Sequence, residues 1–128
     1  MSNLLIGLGA LSAFFSVAAG AFGAHALKQS LPADMLVVYH TAVDYQFFHS
    51  LGLIVIGSIH RVSPRRHHAA SAWLMLAGIL IFSGSLYTLS ITGITWLGMI
   101  TPIGGICLLA AWLMLALSHL MDNKNRED

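Results

Sequence analysis

The chain has 128 residues, of which 57% are hydrophobic and only 9% charged, and its net charge is +1. Soluble domains carry roughly 25% charged residues, so a soluble fold of this length could not hide so much apolar surface, and the charge leaves no footprint for nucleic acid. Lipid is therefore the solvent; hydrocarbon offers backbone groups no water to bond, which leaves helices or a closed barrel, and unbroken apolar runs without strand-like alternation select helices.

In chain order the apolar segments are 3–27, 41–59, 69–91 and 97–121, each close to the ~20 helical residues that cross a ~30 Å hydrocarbon core. The fold expected is all-α: a single four-transmembrane-helix bundle over 1–128, with helices at about 3–27, 35–60, 69–91 and 97–121 and a tail at 122–128. The first segment carries Ala24-His25-Ala26, which mimics a signal-peptidase site. No Lys or Arg precedes its apolar run, however, and the run exceeds the 7–15 residues of a signal h-region, so it reads as an uncleaved first helix. Gly9, Ala13, Ser16, Gly20 and Ala24 recur at helical spacing with Gly23 beside them. Such small residues let helices approach closely, which matters where apolar burial no longer drives association. Gly20 and Gly23 are accordingly expected at a packing face.

Between the first two spans, Ser30 is a candidate N-cap and Pro32 suits a first helical turn. The second helix is chemically unusual. Its first half, YHTAVDYQFFH, holds Tyr39, His40, Asp44, Tyr45, Gln46 and His49, whereas Leu51 to Ile59 is almost purely apolar. At 100° per residue His40 and Asp44 share one face, Tyr45 and His49 another, and Tyr39 and Gln46 a third. With the core boundary set ~20 residues before His60, Asp44 lies ~5 Å inside it and His49 ~12 Å inside. Asp44 can reach headgroups or water; His49 calls for a protein partner such as Ser83, Ser85 or Tyr87.

The loop His60 to His68, HRVSPRRHH, is the one concentrated basic stretch. With four spans, Arg61, Arg65, Arg66, Lys124 and Arg126 fall on one side and only Lys28 on the other. Lys and Arg resist translocation, so both termini are expected in the cytoplasm. The third segment contains FSGSLY at 82–87, with Gly84 as a further packing position, and the fourth starts near TPIGG at 101–105, where Pro102, Gly104 and Gly105 suggest irregular helix or close backbone approach. Cys107, the only cysteine, lies inside this span. It can form no intrachain disulfide and no thiolate metal cluster, and reads as a small buried side chain.

These directions make the unusual stretches converge. The end of the first helix, the first half of the second, the end of the third and the start of the fourth all fall in the outer leaflet half. Polar residues at membrane depth face protein or a wet cavity, so His25, Asp44, Tyr45, Gln46, His49, Ser83, Ser85, Tyr87 and Thr101 form the candidate polar cluster. A structural knot joining four helices is the competing account of the same residues.

GAFGAHAL at 20–27, Tyr45 with His49, FSGSLY at 82–87, the Thr92-Gly93 turn, TPIGG at 101–105 and Trp112 together resemble the YgdD-like family of small membrane proteins, relatives of eukaryotic transmembrane protein 256. The resemblance runs in order over nearly the whole chain. It implies a four-helix bacterial inner-membrane protein; because the family is one of unknown function, it carries over no catalytic or binding residue.

Three functions compete. The first is a non-enzymatic bundle that interacts with membrane lipids or proteins, itself included as a homo-oligomer, and needs no cofactor. The second is a small carrier or lipophile-binding protein, proton-linked through Asp44 and His40 or His49. The third is a haem, quinone or metal redox protein drawing on His25, His40 and His49, although no spacing matches a metal motif. Serine nucleophile chemistry lacks support, since GxSxG and its strand-turn-helix context are absent at Ser83-Gly84-Ser85.

Overall fold

A computed structural model describes residues 1–127, with side chains described through Met121. Four long helices account for nearly all of it: α1 (Ser2–His25), α2 (Ala33–Val62), α3 (Arg66–Thr92) and α4 (Thr101–Glu127). The segments Ser2–His25, Ala33–Val62, Arg66–Thr92 and Thr95–Met121 are each long and apolar enough to cross a membrane. α2 is the longest, 30 residues or ~45 Å at 1.5 Å per residue. The side chains of the tail expected at 122–128 lie outside the described residues.

The connections follow from local chemistry. Pro32 occupies the N-cap of α2 with extended backbone (φ −56°, ψ 150°) and gives it no side-chain cap. Ser30, the expected cap, instead donates to Ala26 O at 3.2 Å, because the short 3-10 turn Leu27–Gln29 keeps it on the preceding helix. At its other end α2 stops at Val62, with Ser63 as its cap before Pro64, since a proline disfavours helical backbone in the residue ahead of it. α3 ends on Gly93, whose φ of +71° is the left-handed conformation that closes helices and that glycine adopts without Cβ strain. The irregular helix expected at 101–105 is regular α-helix, and the departure lies just before it. A 3-10 turn, Thr95–Met99, precedes α4, and Pro102 sits in the first turn of α4, where it costs no intrahelical bond.

The extensive interfaces are those between neighbours in sequence, α1 with α2, α2 with α3 and α3 with α4. All three pairs are antiparallel. Leu5, Leu53, Ile56, Ala72, Met75, Ile79, Leu108 and Ala111 form the buried core. Small residues set how closely the helices approach. A Cβ on Gly9 would lie 2.7 Å from Ile54 Cγ1 and 2.9 Å from Ser50 O, and one on Gly78 would lie 2.5 Å from Leu108 Cδ2. At Gly104 a Cβ would run into the backbone of Phe82. Gly20 faces Val43 at 3.3 Å, and Gly105 would meet the Phe82 ring at ordinary van der Waals distance, 3.7 Å. Gly84 differs from the sequence expectation: a Cβ there would meet nothing within 4 Å, so it packs against no helix. Its position turns it toward a groove between α1 and α3 instead of the α4 interface that Gly78 and Ser85 occupy.

Candidate functional site

Gln46 is the centre of the polar arrangement. It projects from the middle of α2 between two helices, donating through Nε2 to Ser12 O of α1 at 3.0 Å and accepting through Oε1 from the Tyr87 hydroxyl of α3 at 2.8 Å. One turn on, Ser50 Oγ lies 2.7 Å from Ser12 Oγ and also donates to Gln46 O. The Tyr87 ring meets the Tyr39 ring edge-on at 5.2 Å. Tyr39 in turn donates its hydroxyl to Ala19 O at 2.7 Å, and Ser16 donates to Val43 O at 2.8 Å. Gly23 makes the Tyr39 bond possible, since a Cβ there would lie 2.5 Å from the ring. Four side-chain donors thus reach carbonyls or amides on a neighbouring helix, where hydrocarbon offers them no water.

A smaller polar contact joins α3 to α4. Ser85 Oγ lies 2.7 Å from Thr101 Oγ1 and 2.9 Å from Phe82 O. Ser83 is buried, yet its Oγ has no hydrogen-bond partner among the described residues.

Gln46, Tyr87, Ser85 and Thr101 therefore enter hydrogen-bonded contacts between helices, while the other expected members are placed differently. His25 and Asp44 are exposed. Asp44 is two residues from Gln46, or about 200° around the helix, so the face that carries Gln46 into the bundle carries Asp44 out of it. His49 does not bond Ser83, Ser85 or Tyr87. Its Nδ1 lies 2.7 Å from Tyr45 O of its own helix, and its ring stands 6.2 Å from Trp112. Tyr45 stacks on Phe82 at 4.3 Å and on His49 at 5.6 Å, 42% exposed. These two, with Phe48, Gly105 and Trp112, line a second groove between α2 and α4, of about 470 Å³. The first groove, of about 300 Å³, lies between α1 and α3.

Ser12, Ser16, Tyr39 and Ser50 were not among the sequence candidates. Ser16 reads in the sequence as one of the small packing residues of the first span, and Ser12 lies in the same apolar run; the signal available was their register, because Ser12, Ser16 and Ala19 pair antiparallel with Ser50, Val43 and Tyr39.

A further gathering stands at the opposite end. His60 from α2, His68 from the first turn of α3 and His119 from α4 meet, with ring centroids 6.3 Å apart for the first pair and 5.2 Å, nearly parallel, for the second. His60 Nδ1 accepts from the Arg65 backbone N–H at 3.4 Å, so its proton is on Nε2 when neutral. His68 and His119 approach carbonyls, Ser63 O at 3.0 Å and Leu115 O at 2.9 Å, and so protonate Nδ1. No group of three His, Cys, Asp or Glu among the described residues is arranged to hold a metal ion.

Comparison with known proteins agrees with this architecture. Residues 19–105 match the family described as "Protein of unknown function (DUF423)". The chain is 44% identical over 117 residues to the UPF0382 membrane protein YwdK of Bacillus subtilis, covering 91% of this chain and 95% of that one. It is 49% identical over 116 residues to the UPF0382 membrane protein SH2409 of Staphylococcus haemolyticus, covering 91% and 94%. The UPF0382 membrane protein SSP2132 of Staphylococcus saprophyticus is 46% identical over 115 residues, with 90% and 95% covered. No solved structure matches the chain.

Proposed function

The chain belongs to the DUF423 family of multi-pass membrane proteins, and from that premise we propose that it is a non-enzymatic bundle of the bacterial inner (cytoplasmic) membrane that works through contacts with lipid and with membrane proteins, a second copy of itself included. The observation that carries this reading is how the buried polar groups are used. Gln46, Ser12, Ser50, Tyr87, Tyr39 and Ser16 bond one another and backbone carbonyls, and among the described residues no base stands against Ser85, whose partners are Thr101 and Phe82 O. An assembly of this kind fastens helices and leaves little chemistry to perform. Large apolar side chains such as Phe14, Phe22, Leu109 and Leu113 point outward from it, each more than half exposed.

In this reading both termini and the His60 to His68 loop are cytoplasmic, supported by the five-to-one distribution of Lys and Arg. A cysteine at Ser63 should resist a membrane-impermeant thiol reagent in intact cells while one at Thr95 reacts; the reverse pattern overturns the orientation. The functional reading is tested in lipid nanodiscs and proteoliposomes. Light scattering should give a defined oligomer or extraction should give retained lipid. A stoichiometric chromophore, or proton or solute flux abolished by Asp44→Asn, would overturn it in favour of a redox protein or a carrier. The carrier reading has less support, because Asp44 and His40 are exposed and stand outside the hydrogen-bonded interior.

A further inference from the structure

His49 uses one ring nitrogen and leaves the other open. Its Nδ1 lies 2.7 Å from Tyr45 O. A carbonyl can only accept, so Nδ1 carries the proton and Nε2 of the neutral ring is a hydrogen-bond acceptor. That second nitrogen bonds nothing among the described residues. It is also within reach. Ser83 Oγ is the one fully enclosed side-chain N or O atom without a partner among the described residues, and His49 is only half-buried, so its unpartnered Nε2 meets accessible space.

That space is the groove between α2 and α4, about 470 Å³, which falls within the range of small-molecule sites. Its lining is mostly aromatic. Tyr45 stacks on Phe82 at 4.3 Å and on His49 at 5.6 Å, and the Trp112 ring stands 6.2 Å from that of His49. Gly52 seats the indole against α2, since a Cβ there would lie 3.0 Å from Trp112 Cζ2. Phe48 and Leu109, 65% and 72% exposed, form a rim open to what surrounds the bundle. Polar groups at membrane depth ordinarily face protein or a cavity. An alkyl chain lying in this groove would offer Nε2 no donor and leave it unpaired.

We propose that this groove binds a lipophile headed by a phenolic hydroxyl, which donates to His49 Nε2 while its ring lies among Tyr45, Phe82 and Trp112 and its tail runs along Phe48 and Leu109. The inference rests on the reading of the chain as a lipid-interacting bundle and specifies the ligand class and the atom that selects it. His49 chooses a donor, because a site built to bond a hydroxyl discriminates against the analogue that lacks it. The aromatic walls choose a flat ring, because ring pairs gain from offset or edge-on contact beyond the area they bury.

Equilibrium binding of radiolabelled 4-dodecylphenol, its O-methyl ether and 4-dodecylcyclohexanol to the purified full chain, with empty micelles as blank, tests this. The phenol should bind up to about tenfold more tightly than the ether, the order expected for one hydrogen bond, and more tightly than the cyclohexanol. His49→Leu should bring the phenol down to the level of the ether without changing the ether. Gly105→Leu should abolish binding of all three. Its side chain enters the groove with the Cβ at an ordinary 3.7 Å from the Phe82 ring, so helical content and melting should match the parent. Leu109→Trp, at a position 72% exposed, narrows the groove from the rim and supplies a second block. Equal binding of phenol and ether to the parent, a phenol preference that survives His49→Leu, or undiminished binding in either block variant overturns the site. A cyclohexanol bound as tightly as the phenol overturns the aromatic class. An oligomer that Gly105→Leu dissociates makes the groove the seat of a second copy and overturns it too. Any of these failures leaves the orientation, flux and chromophore tests untouched, so the two proposals fail separately.

Discussion

The two ends of the bundle hold their helices together by different means. Toward the Lys28 turn, Tyr39, Ser16 and the Gln46–Ser12–Tyr87 network fasten α1, α2 and α3 with directional bonds across helices. Toward the His60 loop, Leu5, Leu53, Ile56, Ala72 and Met75 interlock, with Ser71 donating to Ala111 O as one polar contact across that end and three imidazoles closing it. Packing works wherever shapes match, whereas a cross-helix bond also sets rotation and register. The glycines serve both: Gly23 admits the Tyr39 ring on one side, and Gly57 admits Leu5 and Ile6 on the other.

The largest test of this contrast is steric. Gly104→Leu drives a side chain into the Phe82 backbone, which cannot move aside as a flexible side chain would, and overpacking of this kind costs about 1–3 kcal/mol or more. Gly84→Leu, with nothing in its way, should melt close to the parent. Thermal unfolding in one detergent compares the two, and equal melting would mean that α3 and α4 do not approach through Gly104.

Next is the polar staple. Gln46→Leu removes the acceptor of Tyr87 and the donor to Ser12 O together, which should cost about 1–2 kcal/mol in a region without water. His49→Leu should cost much less, because the imidazole hydrogen-bonds a carbonyl of its own helix and meets α4 only through the ring of Trp112. A His49 variant as unstable as the Gln46 variant would relocate the network to the α2–α4 groove.

The smallest effect concerns the imidazole end. His68→Gln removes the ring that stacks on His119 at 5.2 Å and stands 6.3 Å from His60, which should cost about 0.5–1 kcal/mol, less than Gln46→Leu. Thermal unfolding in the same detergent compares them, and a His68 variant as unstable as the Gln46 variant would make the imidazole end the stronger fastening.

Much of the architecture could be read from composition and periodicity alone, because in hydrocarbon every backbone group must be satisfied within its own segment and helix length is set by the bilayer. That is why the spans at 3–27, 69–91 and their partners lie near Ser2–His25 and Arg66–Thr92, and why the antiparallel chain directions placed Gln46, Tyr87, Ser85 and Thr101 toward the Lys28 end. What the sequence could not determine is rotation about each helix axis. Gln46 turns inward while Asp44, two residues away, turns out; Ser12 receives a neighbour across the interface while Gly84 faces a groove. Likewise His60, His68 and His119 lie apart in the chain, and only the packing of α2, α3 and α4 stacks them. Rotation is decided by which small residues meet which large ones across an interface. It is a property of helix pairs, and so only the tertiary structure carries it.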